Sequence, residues 1–282
     1  MAIFPSENSP IQIAEFWKQV PPPIRPSESA LEVYIQHLRR AKNRGENSVL
    51  VLGATPELRL LALREGFEVV FVDRDRLMIQ AMALLIDYSG VDESRETCLE
   101  CDWLGMPNPP FPYGVVLGDG SLNHLTMEQM SELLAKLRRF LTTSGSLCLR
   151  VMTYPKSREQ TSLVSIFSKY RTRADGEQNR MLRDLYLRLL FAKGVYRKST
   201  RTSSHLRLMN ELKRACDSNR VRKEEFNIFA PLAGVEYAPT VPFRAEFRRM
   251  SSACFRIERI HALEHREHLD ISRIYEVTQL EV

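Results

Sequence analysis

Asp73 is the side chain whose type and place suggest chemistry most directly. It closes the apolar run Phe67-Glu68-Val69-Val70-Phe71-Val72, which follows a first apolar run, Ser48 to Leu52, by way of Gly53-Ala54-Thr55-Pro56-Glu57. A carboxylate at the tip of the second strand of such a unit accepts hydrogen bonds from both hydroxyls of a ribose. Gly53 and the small Ala54 let backbone approach a ligand, and Thr55 offers a hydroxyl to a polar tail. Two further acids stand at the ends of apolar runs, Asp102 in Cys101-Asp102-Trp103 and Asp119 in Leu117-Gly118-Asp119-Gly120-Ser121. The pattern calls for a nucleoside-type cofactor.

The elements that must position these residues are legible from periodicity. Ser48 to Leu52 and Glu68 to Val72 read as buried strands, joined by a crossover helix from Pro56 to Arg64; parallel strands require such a crossover. Ahead of them, Ile11 to Val20 reads as a short helix stopped by Pro21-Pro22-Pro23. Ser27 reads as the N-cap of a helix carrying Leu31, Tyr34, Ile35 and Leu38, ended by Gly45. Downstream come a helix over 76–89, strands over 96–100 and 114–117, a helix capped by Thr126 and running to Phe140, and a strand over 146–152. Apolar strands without alternation imply burial on both faces, hence a parallel sheet flanked by helices. After Pro155 the pattern shifts to basic amphipathic helices at 161–170, 178–191 and 204–216. Two strands, 253–262 and 271–280, separated by the charged turn 264–270, then complete the sheet.

The chain has 282 residues, 44% of them hydrophobic, and a net charge of +5. That length suits one core domain with a cap. No apolar run is long enough for a membrane span, and the proline-containing start does not resemble a signal peptide. Five cysteines, at 98, 101, 148, 216 and 254, are odd in number and irregular in spacing. Cys98-x-x-Cys101 has no second pair at zinc spacing, so no metal is expected, and reduced thiols fit a cytoplasmic protein. Charge is unevenly spread: residues 155–225 hold 18 Lys or Arg against 8 Asp or Glu. The basic character belongs to that one segment.

Over roughly residues 28–153, and more weakly in the last two strands, the arrangement resembles class I S-adenosylmethionine-dependent methyltransferases of the small-molecule type. The motifs carrying the resemblance are Val51-Leu52-Gly53-Ala54-Thr55-Pro56-Glu57, the acids Asp73 and Asp102, and Gly118-Asp119-Gly120-Ser121-Leu122-Asn123-His124-Leu125. The first departs from the family pattern, with Gly53 alone matching a glycine. The resemblance implies a Rossmann-like, doubly wound, mostly parallel seven-stranded sheet with an antiparallel last strand and an inserted helical cap. It implies S-adenosyl-L-methionine as cofactor. Asp73 would then bind ribose, and Asp102 would meet the adenine amino group, with Trp103 offering a backbone N–H or packing its indole into the core. Arg74 and Met78 join the cofactor-binding set. Gly120 leaves room for the methionine part, Ser121 lies beside it, and Arg25 pairs with the methionine carboxylate. Asp119 would bond the cofactor ammonium or a substrate amine, and His124 would touch the cofactor, act as a base, or make an ordinary helix-entry contact.

The expected organisation is an N-terminal arm (1–27), a cofactor-binding core (28–154), a basic helical insertion acting as substrate cap (155–250) and closing strands (251–282). The expected activity is methyl transfer to an O or N atom of a small molecule; the basic cap suits an anionic one, and a homodimer is left open. The alternatives are an RNA methyltransferase using the basic helices and a non-catalytic cofactor-binding partner subunit. A nicotinamide enzyme is rejected, because Gly-Ala-Thr-Pro-Glu-Leu lacks the second and third glycines that admit a pyrophosphate. A P-loop is absent as well. The family's Asn-Pro-Pro-Tyr signature is missing too, which argues against methylation of base amino groups.

Overall fold

The computed structural model describes residues 9–19, 25–154, 160–171, 185–186, 188–229, 237–262 and 272–279. Its centre is a seven-stranded sheet in the order β3-β2-β1-β4-β5-β7-β6. The strands are β1 (Ser48–Leu52), β2 (Glu68–Asp73), β3 (Glu96–Glu100), β4 (Tyr113–Asp119), β5 (Leu141–Met152), β6 (Phe255–Ala262) and β7 (Ser272–Gln279). The first five pair in parallel, and β7 runs antiparallel to both β5 and β6.

β1 shows why both faces must be covered. Val49 and Val51 point to one face and Leu50 and Leu52 to the other, all fully buried, because successive side chains of a strand alternate. The first face is packed by α1 (Pro10–Gln19), α2 (Glu28–Asn43), α3 (Pro56–Arg64) and α4 (Arg76–Ala83), through Ile13, Tyr34, Leu38, Leu58, Ala62 and Met82. The second is packed by α5 (Met127–Phe140), through Met130, Leu133 and Leu137. α2 forms because its buried positions, Ala30, Tyr34, His37, Leu38 and Ala41, follow helical spacing and Ser27 accepts from the Ala30 N–H. α5 begins with a capping box between Thr126 and Gln129.

Three sequence expectations shift. The helix expected to reach residue 89 stops at Ala83. Beyond it Ile86 is buried, and the Tyr88 hydroxyl donates to Glu96 (2.7 Å) beside the buried Arg59–Glu96 pair. Anchoring Tyr88 to β3 outweighs continuing the helix. β5 starts at Leu141, with no separating turn, and its register with β4 shifts between Tyr113 and Val115. Sequence periodicity also missed two helices, Lys223–Phe229 and Arg244–Ser252. Most of the helix expected over 178–191, the prolines at 21–23 and the turn over 264–270 lie outside the described residues.

Between β5 and β6 the chain builds a second hydrophobic core from α6 (Leu163–Arg171), α7 (His205–Asp217) and α8 (Lys223–Phe229). Phe167, Leu189, Phe191, Leu208, Leu212 and Phe229 fill it. α9 (Arg244–Ser252) packs on α5 and β6 instead, and its Phe247 joins the core of the sheet. Two connections join the helical layer to the sheet. The Tyr154 N–H donates to the Pro242 carbonyl (2.8 Å). The Asn123 side chain donates to the carbonyls of Met152 (3.0 Å) and Thr240 (2.7 Å) while accepting from the Met152 N–H.

Behind the sheet, Glu276 of β7 is buried and bonded to His37, His261 and Arg40. Burial alone would raise its carboxyl; the hydrogen bond from His37 and the other partners outweigh it and hold the group down at about 2. Burial lowers His37, so its neutral ring donates from Nδ1 and accepts the Ser146 hydroxyl at Nε2. A carboxyl depressed in the folded state contributes stability that is complete above its ordinary value of 4.5 and is lost as pH falls through about 2. In acid denaturation followed by circular dichroism, Glu276→Gln is expected to lower stability at neutral pH and to flatten its fall between those two values. An unchanged slope would remove Glu276 from the account.

Candidate active site

The site lies where the C-terminal ends of β1, β2, β3 and β4 meet, the crevice in which open α/β sheets hold ligands. Gly53 is its hub. Its φ is +101°, a conformation that side chains resist, and its N–H donates to the Val72 carbonyl (2.8 Å). A Cβ placed there would lie 3.8 Å from the Trp103 ring and 3.9 Å from both the Asp73 carboxylate and the Ser121 hydroxyl. Four residues picked out in the sequence thus converge, although 68 positions separate the first from the last.

Each is fixed by backbone. Asp73 accepts the Ala54 N–H at Oδ2 (3.1 Å) and the Asp75 N–H at Oδ1 (3.0 Å). Burial raises its carboxyl, and the two N–H donors oppose that shift. Each oxygen accepts one backbone bond, which leaves lone pairs for hydroxyl donors. The indole of Trp103 packs partly buried against the core, and its N–H donates to the Val72 carbonyl (2.8 Å). Ser121 donates to the Leu52 carbonyl (2.5 Å) and Gly120, at φ +75°, donates its N–H to the Arg150 carbonyl (2.9 Å). Ala54 is buried. Thr55 occupies the N-cap position of α3 without capping it through its side chain, so its hydroxyl is not drawn into the helix.

The remaining expected residues spread outward. Arg74 pairs with Asp102 (2.8 Å) on the exposed rim between β2 and β3, and Asp102 also accepts the Leu104 N–H. Met78, in the first turn of α4, packs partly buried on the neighbouring core. Arg25 is half-buried just ahead of the α2 cap.

Asp119 requires a correction. The sequence offers it as a catalytic group and as a partner for the cofactor ammonium or a substrate amine, but its side chain is 2% exposed and ion-paired with Arg150, which is 4% exposed. Tyr34 of α2 donates to it as well (3.2 Å). The cause is strand register: Asp119 and Arg150 are direct partners on β4 and β5, which puts both side chains on one face. Asp119 therefore holds the floor of the site together.

His124 ends the short 3₁₀ turn Ser121–His124. It keeps solvent-accessible surface, yet protein crowds it, with Trp103 edge-on at 6.4 Å and Tyr237 at 5.5 Å between ring centroids. This desolvation, helped by the charge of Arg74, pushes the imidazole down to about 4, so it is neutral at physiological pH. Sequence reasoning missed Tyr34, Glu57, Asn123, Arg150 and Tyr237. Glu57 and Asn123 stood within the quoted motifs and Tyr34 on the apolar face of α2; Arg150 and Tyr237 carried no local signal. Among the described residues, no group of three His, Cys, Asp or Glu side chains could hold a metal ion.

No protein-family model matches the sequence, and no curated protein does. Solved structures do match. The chain is similar to the CcbJ methyltransferase from Streptomyces caelestis, with TM-score 0.61, 13% identity and coverage of 96% of this chain and 97% of that one. It is similar to the 1,6-didemethyltoxoflavin-N1-methyltransferase from Burkholderia thailandensis, solved with that compound and S-adenosylhomocysteine bound: TM-score 0.51, 12% identity, covering 90% and 80%. A third match, from Rhodobacter sphaeroides, is provisionally described as a zinc-dependent alcohol dehydrogenase: TM-score 0.56, 14% identity, covering 97% and 100%. The described residues supply neither a zinc site nor the glycine pattern of a dinucleotide fingerprint.

Gly53→Ala is expected to cost about 1–2 kcal/mol from backbone strain, since the space around its Cβ is ordinary contact distance. A denaturant midpoint equal to that of the natural chain would show that the turn does not need its positive φ. Sheet order, strand directions and these likenesses together give the chain the fold of the class I methyltransferases.

Proposed function

We propose that the protein is an S-adenosylmethionine-dependent methyltransferase that acts on an O or N atom of a small molecule. The observation that carries this reading is the convergence of Asp73, Trp103 and Ser121 on Gly53 at the strand tips. The residues fit the cofactor. Asp73 retains acceptor capacity for two ribose hydroxyls. In this reading Asp102 and Arg74 would hold the adenine end, Gly53 to Thr55 and Gly120 would border the methionine chain, and Arg25 would pair with its carboxylate.

The cofactor, when bound, supplies a methyl group already activated on a sulfonium. The chain's part is to orient the acceptor and exclude water, and that positioning can supply much of the rate. This reading assigns His124, with Trp103 and Tyr237 around it, to contact the acceptor rather than take its proton, because a ring pushed down to about 4 is a weak base. The helical layer built on α6, α7 and α8 acts as the cap. Its aromatic residues Phe167, Tyr186, Phe191 and Tyr196 are buried in their own core, which supports a small acceptor over an RNA strand needing exposed stacking surfaces.

Titration calorimetry with S-adenosylhomocysteine tests the reading. The natural chain should bind it, and Asp73→Ala should weaken binding by about 1–3 kcal/mol through loss of charged hydrogen bonds. Absence of binding by well-folded protein, or binding of NADH in its place, would overturn the proposal.

A further inference from the structure

Three aromatic rings line one side of the crevice in series. Trp103 starts it, with its ring 3.8 Å from a Cβ placed on Gly53. His124 follows at 6.4 Å between ring centroids, and Tyr237 lies 5.5 Å beyond it. Their planes are inclined by 69° and 55°, so no ring stacks flat on the next. His124 is exposed, and Trp103 and Tyr237 are half-buried. Protein nonetheless surrounds His124 and Tyr237 on nearly every side. Rings that keep open surface while enclosed in this way form the wall of a concave site. The wall is held at both ends. The Tyr237 carbonyl accepts the His205 N–H at the start of α7 (2.8 Å). Three residues on, the Thr240 N–H donates to the carbonyl of Asn123 (2.9 Å), the neighbour of His124.

Shape and charge together specify the occupant. A flat ring laid in this trough meets one neighbour face-on and the next edge-on, both favourable arrangements. The charges bordering the trough are matched within the protein, Asp119 with Arg150 and Asp102 with Arg74. The imidazole is neutral, and burial, against the charge of Arg150, keeps the proton on the Tyr237 hydroxyl. An ionised group brought here would leave water without gaining a counter-ion from any of these side chains. We propose that the trough of Trp103, His124 and Tyr237 seats the methyl acceptor, and that the acceptor is a planar aromatic molecule without net charge. The Tyr237 hydroxyl, a neutral donor, orients it through a heteroatom. This departs from the anionic acceptor that the basic segment suggests. The assignment rests on the methyltransferase reading.

The test uses three probes on the natural chain saturated with S-adenosylhomocysteine, followed by titration calorimetry at neutral pH. The probes are 2-naphthol, planar and neutral; decahydro-2-naphthol, neutral but puckered; and 2-naphthoate, planar but anionic. 2-Naphthol should bind about 3- to 10-fold more tightly than the puckered alcohol, and at least about ten-fold more tightly than the anion. In Tyr237→Leu the preference for the planar alcohol should shrink toward that of an aliphatic wall, while S-adenosylhomocysteine affinity is unchanged. Tyr237→Phe, which keeps the ring, should retain the preference, a rescue that a merely structural role for Tyr237 would not give. Should Tyr237→Leu not fold, the three probes on the natural chain decide alone. If the chain holds S-adenosylhomocysteine but shows no preference for 2-naphthol over the puckered alcohol, or favours the anion, the proposal is overturned and the methyltransferase reading stands. If well-folded protein does not hold S-adenosylhomocysteine, both fall.

Discussion

The site depends on one constraint: the chain must leave β1 through a backbone conformation that only glycine adopts without strain. At Gly53 the strand ends, its N–H turns to the Val72 carbonyl, and Ala54 is delivered to Asp73. The same carbonyl takes the Trp103 indole, and the Leu52 carbonyl takes Ser121. Carbonyls at the ends of parallel strands have no further ladder partner. Here Ser121 meets the Leu52 carbonyl and Trp103 joins the Gly53 N–H at the Val72 carbonyl, which places those side chains around one point. The geometry of the site is therefore a by-product of terminating the sheet.

Below that surface the fold relies on buried charge. Arg150–Asp119, Arg59–Glu96 and the cluster on Glu276 bring ionised groups onto one face of the sheet, the face covered by α1 to α4. Removing charges from water is expensive, and such pairs persist only where geometry is good and the remaining donors and acceptors are met. Tyr34 adds a bond at Asp119, Tyr88 one at Glu96, and two histidines serve Glu276. Each cluster joins elements far apart in the chain. Hydrophobic burial is non-directional and would tolerate small slips, whereas these contacts fix register.

Sheet, crossover helix and strand-tip acids were legible because each follows from local pattern: apolar runs, capping residues at Ser27 and Thr126, and a glycine after β1. Gly53, Asp73, Trp103 and Ser121 were found together for that reason. What escaped has a common physical origin. Whether Asp119 faces a ligand or an arginine depends on the pairing of β4 with β5, and nothing in either strand alone specifies the partner across it. Tyr237 and Glu57 acquire their surroundings from segments distant in sequence. α4 ends early through a tertiary bond of Tyr88, and helices of seven and nine residues, over Lys223–Phe229 and Arg244–Ser252, are too brief for periodicity to declare.

Asn123 spends its side-chain amide on two partners at once, the end of β5 and the strand-like stretch at Thr240. It also lies on the 3₁₀ turn between Ser121 and His124. Any hinge-like opening of the helical layer must therefore either break these bonds or drag that turn along. A shift of the stretch at Thr240 is thereby felt at the turn that carries Ser121, so the helical layer and the strand tips are mechanically geared.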